Sequence, residues 1–298
     1  MEVKSFFTVV FDGFTCRTRT YKREERPRQY YGVSAMNARV IPPQWSLQPF
    51  ERELAAIEAE RLAAVKVAPL DDGFIFLGPV EHHVLNRLAR RMSFARAVEG
   101  PEGLLLTQQH TLERAAGGGT RKVTSHGLHG LHPYKGKFYP QLARALLNVC
   151  DVPEGGVIVD PFAGCGTSVL EAGLLGIRAI GVDANPMGVL VSQAKLQLLG
   201  SAMEEVRQEF EPLQQLPDDN TPLPDVEYLS RWFPKGNLEF LRRAIAGIRR
   251  MKSEVGRNGA MVALSSVLRE ASWQDPQQLR VGRRSDTNIP NLSDLFYA

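Results

Sequence analysis

The sequence predicts an α/β fold with parallel strands, preceded by a smaller α+β region, and three observations carry that expectation. Residues 140–199 alternate helix, strand, helix, strand, helix. A glycine-rich turn follows the first of those strands, and the run Ala115-Ala116-Gly117-Gly118-Gly119 separates this pattern from a differently patterned N-terminal part. The expected division is therefore an accessory region, 1–118, a candidate for nucleic-acid binding, and a second region, 119–298, with a helical insertion from about residue 200.

Before the hinge, the alternation Phe74-Ile75-Phe76-Leu77 predicts a strand, while Pro49 to Val67 and Glu81 to Val98 carry helical spacing. After it come a helix from Pro140 to Cys150, a strand from Val157 to Asp160, a helix from Thr167 to Leu175, a strand from Ala179 to Asp183, and a helix from Met187 to Leu199. Pro140 suits the first turn of its helix because its missing N–H is unpaired there anyway, and Gly176 suits a helix end. Beyond Gly200, Leu238, Leu241, Ile245 and Ile248 form one apolar stripe with Arg242, Arg243, Arg249 and Arg250 largely off it. Met261 to Leu268 is an apolar run ambiguous between strand and helix, so the strands of a full doubly wound sheet are not visible.

Composition excludes several classes. With 43% hydrophobic and 23% charged residues, the 298-residue chain matches a soluble globular protein. No apolar run approaches the roughly 18 residues of a membrane span, and Phe6 to Phe11 ends at Asp12, too short for a secretory segment, so a cytoplasmic protein with no membrane partner is expected. Cys16, Cys150 and Cys165 form no CxxC pair, and glycine and proline interrupt the spacing of His126, His129 and His132, so no metal site is expected. The net charge of +3 says little, but Arg17 to Arg28 and Arg242 to Arg284 are locally basic. Arg242, Arg243, Arg249 and Arg250 read either as a phosphate-facing surface or as a solvated helix face.

The most specific segment is Val157-Ile158-Val159-Asp160-Pro161-Phe162-Ala163-Gly164-Cys165-Gly166-Thr167, a buried-strand pattern entering a glycine turn and a helix. Gly164 and Gly166 permit close approach of a ligand to the backbone, and the helix start near Thr167 offers unpaired N–H groups. Asp160 would repel a pyrophosphate but attract the ammonium of a methionine moiety, which favours S-adenosylmethionine over a dinucleotide. Asp183, 19 residues beyond Gly164, is placed either to accept hydrogen bonds from ribose hydroxyls or to cap the next helix.

Asp160 to Thr167, the upstream His132-Pro133-Tyr134-Lys135-Gly136-Lys137-Phe138-Tyr139-Pro140 and the downstream Ala184-Asn185-Pro186 resemble the S-adenosylmethionine-dependent DNA N-methyltransferases that modify adenine N6 or cytosine N4. The resemblance covers about 124–195 well and 232–284 loosely. It implies a Rossmann-like class I methyltransferase core, DNA methylation of the restriction–modification kind, and cofactor contacts from Pro133, Lys137, Phe138, Asp160, Phe162, Gly164, Gly166 and Asp183. Cys165, inside the turn, lacks the Pro-Cys context of a catalytic thiolate. Trp232 and Phe233 read either as core or as a base-stacking surface. Leu88-Ala89-Arg90-Arg91 hints at enzymes that methylate guanine N2 in tRNA, which keeps RNA open as the alternative substrate.

One part of the pattern is missing. The family holds the target amine with an Asp, Asn or Ser followed by Pro-Pro and an aromatic, but here the one Pro-Pro, Pro42-Pro43, follows Ile41 and precedes Gln44. Isoleucine accepts no hydrogen bond, so the segment reads as a structural turn and the catalytic residues are unassigned. With the later strands also missing, the expectation is an incomplete core, from a truncated gene or from a split enzyme whose second chain supplies the catalytic half. A non-catalytic cofactor-binding subunit is the remaining alternative.

Overall fold

The computed structural model describes residues 7–11 (backbone), 37–217, 228–275, 282–284 and 288–298. The basic stretch Arg17 to Arg28, Cys16 and Arg280 lie outside them.

The N-terminal region is built on an antiparallel sheet of β2 (Arg39–Ile41), β3 (Val67–Leu70), β4 (Gly73–Phe76), β5 (Ala97–Gly100) and β6 (Gly103–Leu106), in the order β3-β4-β2-β5-β6. Helices α1 (Pro49–Ala63) and α2 (His82–Arg91) bury Ala55, Ala59, Leu62, Leu85 and Leu88 against Val40, Phe74, Phe76 and Val98 of the sheet. Pro49 opens α1, the Glu51 carboxylate accepts from the Gln48 N–H, and Ala64 ends the helix in the left-handed conformation. The helical spacing read from Glu81 to Val98 overran its element: α2 stops at Arg91, and Val98 belongs to β5. Arg91 turns its guanidinium to Asn148 Oδ1 and Val152 O, both 2.9 Å away, and Ser93 N–H goes to Glu58. The Ile41 to Trp45 segment leaves β2 at Ile41 and bends at Gln44 and Trp45, and Trp45 is buried and donates to Glu113 at 2.9 Å. Helix α3 (Gln108–Ala115), capped by the Thr107 hydroxyl, ends at the glycine run.

The second region holds α4 (Pro140–Val149), β7 (Val157–Asp160), α5 (Thr167–Leu174), β8 (Arg178–Asp183) and α6 (Pro186–Leu199), each within two residues of its expected bounds. β7 and β8 pair in parallel, and α4, α5 and α6 cover one face of them with Leu147, Val169, Leu170, Val189 and Leu196. β1 (Phe7–Phe11) pairs antiparallel with β8, giving the order β1-β8-β7. The apolar run considered above as a secretory segment is thus a strand of this sheet, although it precedes the accessory region in the chain.

Beyond residue 200 the described elements are helical: α7 (Met203–Phe210), α8 (Leu229–Trp232), α9 (Lys235–Arg250), α10 (Glu254–Val267) and α11 (Leu292–Tyr297). Helix α10 absorbs most of the ambiguous run from Met261 to Leu268, capped by Ser253, and packs on α6. Leu241, Ile248, Ala260, Leu264 and Leu292 form its core with α9 and α11. Among the described residues no helix is long and apolar enough to cross a membrane.

Polar groups join the two regions. Glu58 of α1 is fully buried, and its Oε1 accepts from Asn148 Nδ2 of α4 and from the Ser93 hydroxyl, each at 2.7 Å. Burial raises its pKa to about 7 despite these donors. A folded-state pKa above the unfolded value means stability is full below the ordinary carboxyl range and declines as pH rises through about 7. Glu58→Gln should remove that decline, worth about 3 kcal/mol at most. In urea unfolding at about pH 5 and about pH 8.5, the wild type should lose more stability between the two than the variant; equal losses would contradict the assignment.

Candidate cofactor site

The parallel register sets Asp160 beside Gly181, so Asp160 and Asp183 both emerge at the C-terminal ends of their strands. Between them lies the turn that leads into α5, and both carboxylates hold it. Asp183 Oδ2 accepts from Gly164 N–H at 2.7 Å and Oδ1 from Asn185 N–H at 2.8 Å. Asp160 Oδ1 accepts from Phe162 N–H at 3.0 Å and Oδ2 from the Ser168 hydroxyl. Each carboxylate oxygen keeps further acceptor capacity after these bonds.

The glycines have distinct reasons. Gly164 and Gly166 take φ of +52° and +78°, and a Cβ at Gly166 would lie 2.2 Å from Ser192 Oγ, so α5 and α6 approach only because that position is glycine. Gly188, which sequence reasoning did not single out, starts α6 against the turn: a Cβ there would lie 2.8 Å from Gly164 O. Tyr134 packs beside Gly164, and its hydroxyl accepts from Asn185 Nδ2 at 3.2 Å. Tyr134, Ser168 and Asn185 were within or beside the motif, but only the fold reveals what each touches.

A groove of about 520 Å³ opens beside the turn, its walls including Lys137, Phe138, Asp160, Phe162, Gly164 and Ser168. It is mainly apolar, and the ring of Phe162 stands 86% exposed in it. Asp183 reaches the same turn from β8. Exposed Pro133, buried Gly166 and half-buried Asp183 are not among the lining residues. Lys137 contributes its stem, since its ammonium donates to Thr124 O and His129 O at 3.0 Å and to Ser125 Oγ at 3.3 Å, matching its three protons within the chain. Cys165 is buried, and its carbonyl accepts from the buried Lys195 ammonium at 2.9 Å.

Under the turn lies a cluster of buried charge. Glu171 of α5 accepts from Arg144 Nε of α4 at 2.6 Å and from His129 Nε2 at 2.7 Å, all three being essentially inaccessible. Burial works against ionising Glu171, but Arg144 and His129 outweigh it and hold its pKa at about 2. Burial depresses the His129 pKa, leaving a neutral imidazole that donates to the carboxylate. His126 is neutral for the same reason, its pKa near 4, and pairs with Gln109. His132 faces the Ser265 hydroxyl instead. Among the described residues no three His, Cys, Asp or Glu side chains gather as metal ligands.

The four arginines of α9 separate. Arg242 pairs with Glu239, and Arg243 donates to Leu216 O and Pro217 O at 3.0 and 3.2 Å, while Arg249 and Arg250 are exposed at the helix end. Trp232 and Phe233 are half-buried beside a separate cleft.

A parallel strand pair with a carboxylate-held glycine turn at its C-terminal end defines a Rossmann-like nucleotide-type site. Residues 132–216 match the family described as RMKL-like, methyltransferase domain. The chain is 45% identical over 81 residues to the type II methyltransferase M.MjaII of Methanocaldococcus jannaschii, covering 26% of this chain and 14% of that protein. It is 38% identical over 79 residues to a tRNA (guanine(10)-N2)-dimethyltransferase of the same organism, covering 26% and 22%. Over 183 residues it is 24% identical to the type II methyltransferase M.MvaI of Kocuria varians, covering 56% and 40%. The chain spans less than half the length of each of these relatives. The resemblance read from the turn is upheld over residues 132–216, which match a methyltransferase domain, and such a domain implies S-adenosylmethionine as methyl donor. The residues present suit that donor, since the groove pairs apolar rings with the Asp160 carboxylate, and the Lys137 ammonium beside it is held by acceptors of its own loop.

Asp183→Ala removes two bonds to backbone amides of the turn and the carboxylate expected from the sequence to meet a ribose. Affinity for S-adenosylmethionine should fall at least about tenfold by titration calorimetry, with the far-ultraviolet circular dichroism unchanged. Wild-type affinity in a folded variant would refute the assignment.

Proposed function

We propose that this chain binds S-adenosylmethionine for methyl transfer to an exocyclic amine of a DNA base, adenine N6 or cytosine N4, and that a second polypeptide completes its catalytic half. The carrying observation is that the cofactor turn ends a strand, β7, whose other edge is unpaired among the described residues. Val157 and Val159 of β7 are 49% and 62% exposed on the sheet face opposite α4–α6, and Val159 lines the groove that reaches Phe162 together with the exposed Leu146 of α4. An apolar edge with unpaired backbone groups favours addition of another strand. Such a strand would end beside the methyl donor, where the sequence offers no Asp, Asn or Ser followed by Pro-Pro and an aromatic to hold the amine.

On this reading Asp160 attracts the methionine ammonium, Asp183 accepts from the ribose hydroxyls while holding Gly164, and Phe138 and Phe162 exclude water. Pro133 and the Lys137 stem brace the upstream loop, and Gly166 keeps α5 close to α6. The bound donor supplies a methyl group on sulfonium, and the protein contributes positioning and charge stabilisation. Of the α9 arginines, Arg249 and Arg250 suit phosphate contacts best, because they are the exposed pair at the helix end. Cytoplasmic location and a place in a restriction–modification pair accompany this reading. The relatives named as tRNA guanine-N2 dimethyltransferases support a second reading, in which residues 1–118 bind RNA.

The test offers the purified chain labelled S-adenosylmethionine with unmethylated duplex DNA or unmodified tRNA, followed by nucleoside analysis. Cofactor binding without transfer is expected for the chain alone. Labelled N6-methyladenine or N4-methylcytosine from the chain alone would refute the need for a second polypeptide, and labelled N2-methylguanine would refute the DNA assignment.

A further inference from the structure

A second cleft, of about 400 Å³, lies between α8 and the C-terminal part of α10, its walls including Tyr228, Trp232, Phe233, Arg269, Ser272 and Gln274. Its chemistry differs from the cofactor groove. Tyr228 is 53% exposed with the Arg231 guanidinium 5.2 Å from its ring centre, and Arg283 lies 5.2 Å from the ring centre of Trp273. The two aromatic layers are tied together, since Trp273 N–H donates to Trp232 O at 2.7 Å.

We propose that this cleft binds an unpaired nucleobase, stacked on Tyr228 and Trp232, with Arg231 at the adjoining phosphate. An exposed Tyr228 and a half-buried Trp232 in one cleft, with the Arg231 guanidinium on the Tyr228 ring at its rim, match a base and its adjoining phosphate charge together. A paired base hides its faces in the duplex stack, so the ligand is a single strand or an extruded nucleotide. The position agrees with a substrate-guiding surface: Ser265 lines the cleft, and its hydroxyl lies 3.1 Å from His132 Nε2, two residues before the Tyr134 that packs beside Gly164. The inference rests on the nucleic-acid reading above but assigns a site to residues that reading leaves unused.

The test measures fluorescence anisotropy of single-stranded DNA and RNA oligonucleotides carrying 2-aminopurine, and of matched duplexes, with the full chain. Tyr228→Ala should weaken single-strand binding roughly tenfold, and Tyr228→Phe should stay within about twofold of wild type. Arg231→Ala should also weaken it and reduce its salt dependence. The backbone bound more tightly, DNA or RNA, identifies the source of the base, and the Tyr228→Ala loss should appear on it. Equal binding by wild type and Tyr228→Ala, or an equal loss on duplex and single strand, would overturn the proposal. Calorimetry of S-adenosylmethionine on the same variants separates the two readings: intact cofactor binding without a Tyr228 effect removes the cleft alone, and absent cofactor binding in the wild type removes the reading beneath it.

Discussion

The site depends on a carboxylate that no ligand touches. Glu171 draws Arg144 of α4 and the His129 imidazole onto α5, all three fully buried. A buried carboxylate of this kind tolerates loss of a partner badly, because the remaining charge would stay unpaired. The loop from His126 to Phe138, the helix α4 and the first turns of α5 are thereby fixed to one another. Arg144 extends the arrangement by donating from Nη1 to Gln108 at 2.9 Å, and α4 carries Gln141 and Asn148 to Glu113 and Glu58 of the N-terminal region. The N-terminal region is therefore a wall against which the cofactor loop is positioned.

On that base, the turn itself is shaped by carboxylates acting on backbone amides. Asp160 and Asp183 are at once the acids that suit a methionine ammonium and a ribose and the groups that fix Gly164 and Phe162. The turn is consequently shaped before a ligand arrives, which reduces the ordering cost of binding. Among the described residues neither β7 nor β1 pairs with a further strand at its outer edge, and β7 carries the exposed valines.

The strand, turn and helix were legible because each leaves a local mark: the apolar run Val157-Ile158-Val159, paired glycines, and an acid at each strand end. The N-terminal sheet was mostly illegible because its strands are three or four residues long, too short for a period, and because α2 ends where Arg91 and Ser93 find partners at Asn148 and Glu58, far away in sequence. Phe7 to Phe11 was visible as an apolar run, but its place beside β8 depends on a partner more than 160 residues away. Within the site, Lys137 matched a motif, whereas the destination of its ammonium depends on three acceptors in the loop before it. Gly188 carried no signal, since a glycine early in a helix states nothing about the carbonyl it must clear.

The most direct test of the carboxylate-held turn is nuclear magnetic resonance of the glycine-labelled chain titrated with S-adenosylmethionine. The account predicts that the Gly164 amide is hydrogen-bonded in the free protein and shifts on titration, while Gly103 and Gly117, in the N-terminal turn and the hinge, stay in place. A titration that moves the hinge glycines and leaves Gly164 unchanged would contradict it.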